Sequence, residues 1–239
     1  MGFTFIASDN AWTDDNGTTQ TLNLDIAAGD LIVVLARWEG SDTTVVIADD
    51  APNTYETVAH VINTENAFGI CIGYKINAGA KAGATITATL GASKGWRGAV
   101  VLQFRPTVGA NVSLDASEKS AENTGETTIA SQAFATTGDD TNLEVVVGAV
   151  APYGNGRTFT DLNVDGEDAT GAAYSVRSAD HLAAMWYKIL SAADASCTVD
   201  AEISSETELD IDAIAFKEAP GGGGSIMPLL MSARRRRVA

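Results

Sequence analysis

The chain has 239 residues, with 31 acids, 15 bases and a formal net charge of −16. Four of the bases are the consecutive arginines 234–237, so the preceding body holds eleven bases against all 31 acids. That balance argues against a body that binds nucleic acid or anionic membrane, and it favours solubility with cations or basic surfaces as counterparts.

The N-terminus reads Met1-Gly2-Phe3-Thr4-Phe5-Ile6 and has neither the basic region nor the apolar core of a secretory signal. Ile6 stands where a myristoylation motif needs Ser or Thr, and no run reaches the roughly 18 apolar residues of a membrane helix. Thr, Ala, Gly, Val and Asp dominate and charged residues are sparse, which is the composition of an all-β protein rich in turns.

Residues 19–26 alternate, with Leu22, Leu24 and Ile26 on one face, as a strand with one wet face does. Residues 31–36, Leu-Ile-Val-Val-Leu-Ala, form a continuous apolar run of the kind expected for a central strand covered on both sides. Turn signals separate such runs at short intervals, among them Asn16-Gly17, Asp49-Asp50-Ala51-Pro52-Asn53, Asn77-Ala78-Gly79, Asn123-Thr124-Gly125 and Asp165-Gly166. Many short strands at this spacing predict a sandwich or barrel.

The pattern then repeats with a period near 112 residues. Residues 31–36 match 143–148, Tyr74-Lys75-Ile76 matches Tyr187-Lys188-Ile189, residues 85–90 match 198–203, and Val101-Leu102-Gln103-Phe104 matches Ala213-Ile214-Ala215-Phe216. The period is too long for a solenoid. The sequence therefore predicts two tandem antiparallel β-sandwiches of jelly-roll or immunoglobulin-like type, arising by internal duplication. They span residues 1–108 and 109–219, each with seven to nine strands and each self-sufficient, and an extended arm follows over 220–239.

Catalytic signatures are missing from the sequence. His60 and His181 do not correspond in the repeat and read as surface strand residues; no pair sits at metal-ligand spacing, and there is no nucleophile elbow or phosphate loop. Cys71 and Cys197 lie in apolar or alternating runs and read as buried free thiols. The aspartate turns offer weak calcium candidates in Asp49, Asp50, Asp161 and Asp165, set against the turn-forming tendency of Asp itself. The residues at 161–166 open like an EF-hand loop, but Ala172 stands at the closing position. Trp12, Trp38, Trp96 and Trp186 pose a choice between core packing and a sugar-stacking surface, and packing is favoured because they do not recur between the copies.

The order of a strand at 31–38, the Asp49-Asp50-Ala51-Pro52-Asn53-Thr54-Tyr55 turn, Gly73-Tyr74-Lys75-Ile76-Asn77-Ala78-Gly79, Ala84-Thr85-Ile86-Thr87-Ala88 and a closing Gln103-Phe104 resembles β-sandwich proteins of tailed bacteriophages and prophages. The first copy carries this resemblance over most of its length; the second lacks the Asn-Thr-Tyr turn. The resemblance implies a structural or recognition protein of the virion, either head decoration or tail-associated, with no catalytic residues, and with a glycan-binding or adhesive surface module as the competing class.

The last nineteen residues are a glycine hinge (221–224), an apolar plug of Ile226, Met227, Leu229, Leu230 and Met231 around Pro228, and Arg234, Arg235, Arg236 and Arg237. Such a segment reads as a tether with a hook for other copies of the chain or other virion proteins, its arginines facing the carboxylates of an acidic neighbour. Contact between those arginines and packaged nucleic acid is a secondary reading.

Overall fold

The computed structural model describes residues 2–40, 44–51, 53–58, 61–63, 68–107, 111–137, 143–154, 156–177 and 180–219. Among them are sixteen strands and no helix. The histidine at 60 and the arm residues Ile226, Met227, Leu229, Leu230, Met231, Arg234, Arg235, Arg236 and Arg237 lie outside the described residues.

The first nine strands build two facing sheets. They are β1 (Thr4–Thr13), β2 (Gly17–Ile26), β3 (Leu31–Glu39), β4 (Val45–Asp49), β5 (Glu56–Thr57), β6 (Val61–Asn63), β7 (Phe68–Lys75), β8 (Lys81–Lys94) and β9 (Arg97–Arg105). An inner sheet runs β1-β9-β3-β7-β5, with β6 also on β7, and an outer sheet runs β2-β8-β4. The alternation read at 19–26 sends Leu22, Leu24 and Ile26 into the space between the sheets. There they meet Ile32, Val34 and Ala36 of β3 and Ala84, Ile86 and Ala88 of β8.

The remaining strands are β10 (Asn111–Ala130), β11 (Glu144–Pro152), β12 (Phe159–Val164), β13 (Glu167–Asp168), β14 (Gly171–Arg177), β15 (Asp180–Leu190) and β16 (Val199–Ala219). β10 and β16 are long enough to pass through both layers. Their outer-layer part pairs Ile129 with Ala201 and their inner-layer part pairs Leu114 with Phe216, with register shifts between. The inner layer is then β10-β16-β11-β15-β14 and the outer layer β10-β16-β12-β13, the same neighbour order as in the first half. Even a bulge recurs, between Phe5 and Ala7 on β1 and between Leu114 and Ala116 on β10.

The ladders fix which residues correspond. Leu31 faces Phe104 and Val33 faces Tyr74, whereas Val145 faces Phe216 and Val147 faces Tyr187. Leu31 thus corresponds to Val145, two positions beyond the match expected from composition. A slip of two keeps every side chain on the same face of a pleated strand, so hydrophobic pattern alone does not register it.

The two halves share an apolar core. The largest apolar cluster lies between them, where the outward faces of the two inner sheets meet: Leu31, Val33, Leu35, Ile70, Ile72 and Leu102 pack against Val145, Val147, Met185, Ile214 and their neighbours. The crossing is reciprocal. β1 and β9 lie over β14 and β15, and β10 and β16 lie over β6 and β7. That is the form of an isologous dimer interface, built here within one chain. It explains why residues 31–36 are apolar without interruption: even positions of β3 face the first sandwich's own core and odd positions face the shared one. At about 1.5–3 kcal/mol per buried aliphatic or aromatic side chain, neither inner sheet is stable against water on that face. The seam is pinned by Ser175 Oγ donating to the Ala11 carbonyl at 2.9 Å. A Cβ at Gly98 would stand 2.8 Å from that hydroxyl, so any larger residue there would push it off the Ala11 carbonyl.

Candidate functional site

The Asp49–Tyr55 turn, which carries the resemblance, is held by its own side chains. Asn53 Nδ2 and Tyr55 OH both donate to Asp49 Oδ2, at 2.8 and 3.0 Å, and Asn53 Oδ1 accepts from the Gly79 amide at 2.7 Å. One asparagine therefore ties the Asn-Thr-Tyr turn to the Asn77-Ala78-Gly79 turn. Asp50 accepts from the Thr85 amide at 2.8 Å and pairs with Lys81 at 2.7 Å, and the Lys81 bond holds its carboxyl below the usual range. Asp49 Oδ2 and the Asp50 carboxylate thus face N–H and O–H donors.

Asp161 and Asp165 are not brought together on one ion. Asp161 Oδ2 accepts from Asn163 Nδ2 at 3.0 Å, and the same amide reaches Asp200 Oδ1 at 3.0 Å. Asp165 sits at the tip of the β12–β13 hairpin with φ 56°, followed by Gly166 at φ 70°. Two successive left-handed residues are what a tight two-residue hairpin needs, and aspartate tolerates that conformation. The Asp165 carboxyl hydrogen-bonds that of Asp194, which raises its pKa. Among the described residues no group of three or more His, Cys, Asp or Glu is arranged to hold a metal ion.

A charged group that sequence reasoning missed lies in the seam between the halves. Arg37 continues the odd-numbered face of β3 into the shared core and is almost wholly buried. Its Nη2 donates to Glu39 Oε1 at 3.3 Å, and its guanidinium lies 6.0 Å from the Trp12 ring centre. Burial pulls its pKa down, against the pull of Glu39 and Asp210, which faces it from β16. The only hint in the sequence was a basic residue ending an apolar run.

Both cysteines are free and buried, and burial pushes each thiol up to about 12. A thiol so far above neutrality is not a nucleophile. Trp38 and Trp186 are fully buried, and Trp12 and Trp96 meet edge to face at 5.4 Å. Gly148 leaves the room that Trp186 fills, since a Cβ would lie 2.4 Å from the indole, whose Nε1 donates to the Asn163 carbonyl at 2.9 Å. His181 lies on β15.

A cleft of about 210 Å³ opens on the second sandwich, between the β12–β13 hairpin and β14. Phe159, Leu162, Ala169 and Tyr174 form its apolar wall, and the exposed Asp161 and Asp168 stand at its mouth. Phe159 and Tyr174 are stacked with ring centres 6.2 Å apart, and burial raises the Tyr174 pKa. No strand periodicity could have revealed this cleft, since its walls come from three strands and one turn. Comparison of the chain with models of protein families, with curated proteins and with solved structures finds no match.

Proposed function

We propose that this chain is a non-enzymatic structural component of a bacteriophage virion, a capsid decoration protein whose C-terminal arm docks on neighbouring subunits. The observation that carries the reading is the use made of the inner sheets. Each presents an apolar face of the kind that subunits pack together, and each face is occupied by the other half of the same chain. Contact with a neighbour then falls to the outer surfaces and to the arm, where an apolar plug and four arginines follow a glycine hinge in a chain that is otherwise strongly acidic. The turn that resembles phage sandwiches supports the same reading, because its Asn53 and Tyr55 act on the fold itself.

The test is incorporation into particles. Virions assembled with the full chain are expected to retain it through gradient purification, at a copy number matching a capsid lattice. A chain ending at Pro220 is expected to stay in the unbound fraction. Recovery of the full chain only as free protein would overturn the virion assignment. Equal incorporation of the truncated chain would overturn the role of the arm, and a copy number matching a tail would move the protein from head to tail.

A further inference from the structure

The cleft on the second sandwich lies beside a position that the first sandwich fills with a ring. The isolated bridge Ala48–Thr54 corresponds to the pair Asn163–Asp168, because Ala48 and Asn163 face Thr87 and Asp200 at equivalent places on β8 and β16. The next residue is Tyr55 in the first half and Ala169 in the second. Tyr55 is buried in the first sandwich's core with its hydroxyl on Asp49. Ala169 leaves no ring there, and the open cleft lies beside it against Phe159, Leu162 and Tyr174. Part of the difference is made up inside the second core by Trp186, which stands where the first half has Gly73.

We propose that this cleft is the receptor for the C-terminal arm of a neighbouring copy, with a side chain of the plug at 226–231 seated against Phe159, Leu162 and Tyr174. The proposal rests on the arm-docking reading above and names its receptor. Size points to a side chain, since about 210 Å³ falls below the roughly 300–1,000 Å³ of clefts that enclose a drug-sized molecule. Charge points to the arm. Asp161 borders both this cleft and a second hollow that holds Asp200 and Glu202, so four carboxylates, with Asp168, lie at or next to the cleft. A segment docking here needs an apolar anchor followed within a few residues by several cations. Residues 226–237 have that order, with Leu229 and Leu230 followed by Arg234, Arg235, Arg236 and Arg237. Asp161 and Asn163 are already hydrogen-bonded to each other, which fixes the acidic rim before any arm arrives.

Photocrosslinking tests this on the full-length chain. With Leu229→p-benzoylphenylalanine, irradiation is expected to give dimer-sized products whose crosslinks map to residues 159–174. Ala169→Tyr, which copies the first sandwich, is expected to keep the melting temperature while lowering crosslink yield by about tenfold or more, the effect of losing one buried anchor. If Ala169→Tyr melts early, the exposed pair Asp161→Asn and Asp168→Asn replaces it and is expected to lower the yield in the same direction. Dimer-sized products mapped elsewhere would overturn the cleft as receptor and leave arm docking standing. Crosslinks within one chain only, or none, would overturn both. Glycan-array binding that Ala169→Tyr abolishes, with no arm crosslink to the cleft, would overturn the proposal by assigning the cleft to a sugar.

Discussion

Tyr74 of the first sandwich packs edge to face on Phe216 of the second, with ring centres 5.1 Å apart. Its counterpart Tyr187 does the same to Phe104 at 5.0 Å, so each repeated tyrosine meets the other half's repeated phenylalanine across the seam. Phe5 adds a third ring, stacked on Tyr187 at 5.1 Å. Phe104→Ala and Phe216→Ala are each expected to cost about 3–5 kcal/mol in denaturant titrations. A double-mutant cycle on Tyr74 and Phe216 is expected to show a coupling of about 0.5–1.5 kcal/mol. Additivity within error would mean the rings share a core without touching productively.

The reciprocal seam predicts how the halves behave apart. Residues 1–109 and 110–219, produced separately, are each expected to aggregate or self-associate, because Leu31, Val33 and Leu35, or Val145 and Val147, would face water. Mixed during refolding, they are expected to recover a one-to-one complex in size-exclusion chromatography. Two soluble, monomeric, cooperatively melting halves would contradict the shared core.

Tyr55→Ala removes a ring buried in the first sandwich's core. The expected loss is about 2–4 kcal/mol, from the cavity and the removed ring. Asn53 still donates to Asp49 Oδ2, so the turn itself is expected to persist. A loss well under about 1 kcal/mol would show that the first sandwich can collapse around the missing ring.

Two carboxyls set opposite pH dependences. Burial raises the Asp115 pKa, but hydrogen bonds from Lys217, Thr137 and Glu144 outweigh it and hold the group down to about 2. Its stabilisation is therefore full above the unfolded pKa near 4 and is lost as pH falls from there through about 2. Asp115→Asn is expected to flatten the melting temperature in that window. Asp165 is shifted upward by its hydrogen bond to Asp194, so its ionisation disfavours the folded state as pH rises above the unfolded value. Asp194→Asn is expected to raise stability at neutral pH by a few tenths of a kcal/mol, small because both groups are close to solvent. A lower melting temperature at pH 7 would show instead that the Asp194 carboxylate is needed for the bond its Oδ1 accepts from the Ser196 amide.

The sequence by itself determined what depends on near neighbours along the chain. Alternation at Leu22, Leu24 and Ile26 gave strands, aspartate and glycine gave turns, and Tyr74 and Phe104 recurred as Tyr187 and Phe216. It did not reveal that one half's tyrosine touches the other half's phenylalanine, or which strands cover the second face of residues 31–36. Those follow from burial on both sides of a sheet, which is decided by strands more than 100 residues away. The two-residue error in matching 31–36 has the same origin: a pleated strand repeats every two residues, and only the partner strand says which repeat is meant. Arg37 and the cleft beside Ala169 were equally beyond reach, because a buried charge and a hollow are defined by what surrounds them. The tertiary structure alone set those surroundings, by closing two sandwiches on each other through their apolar faces.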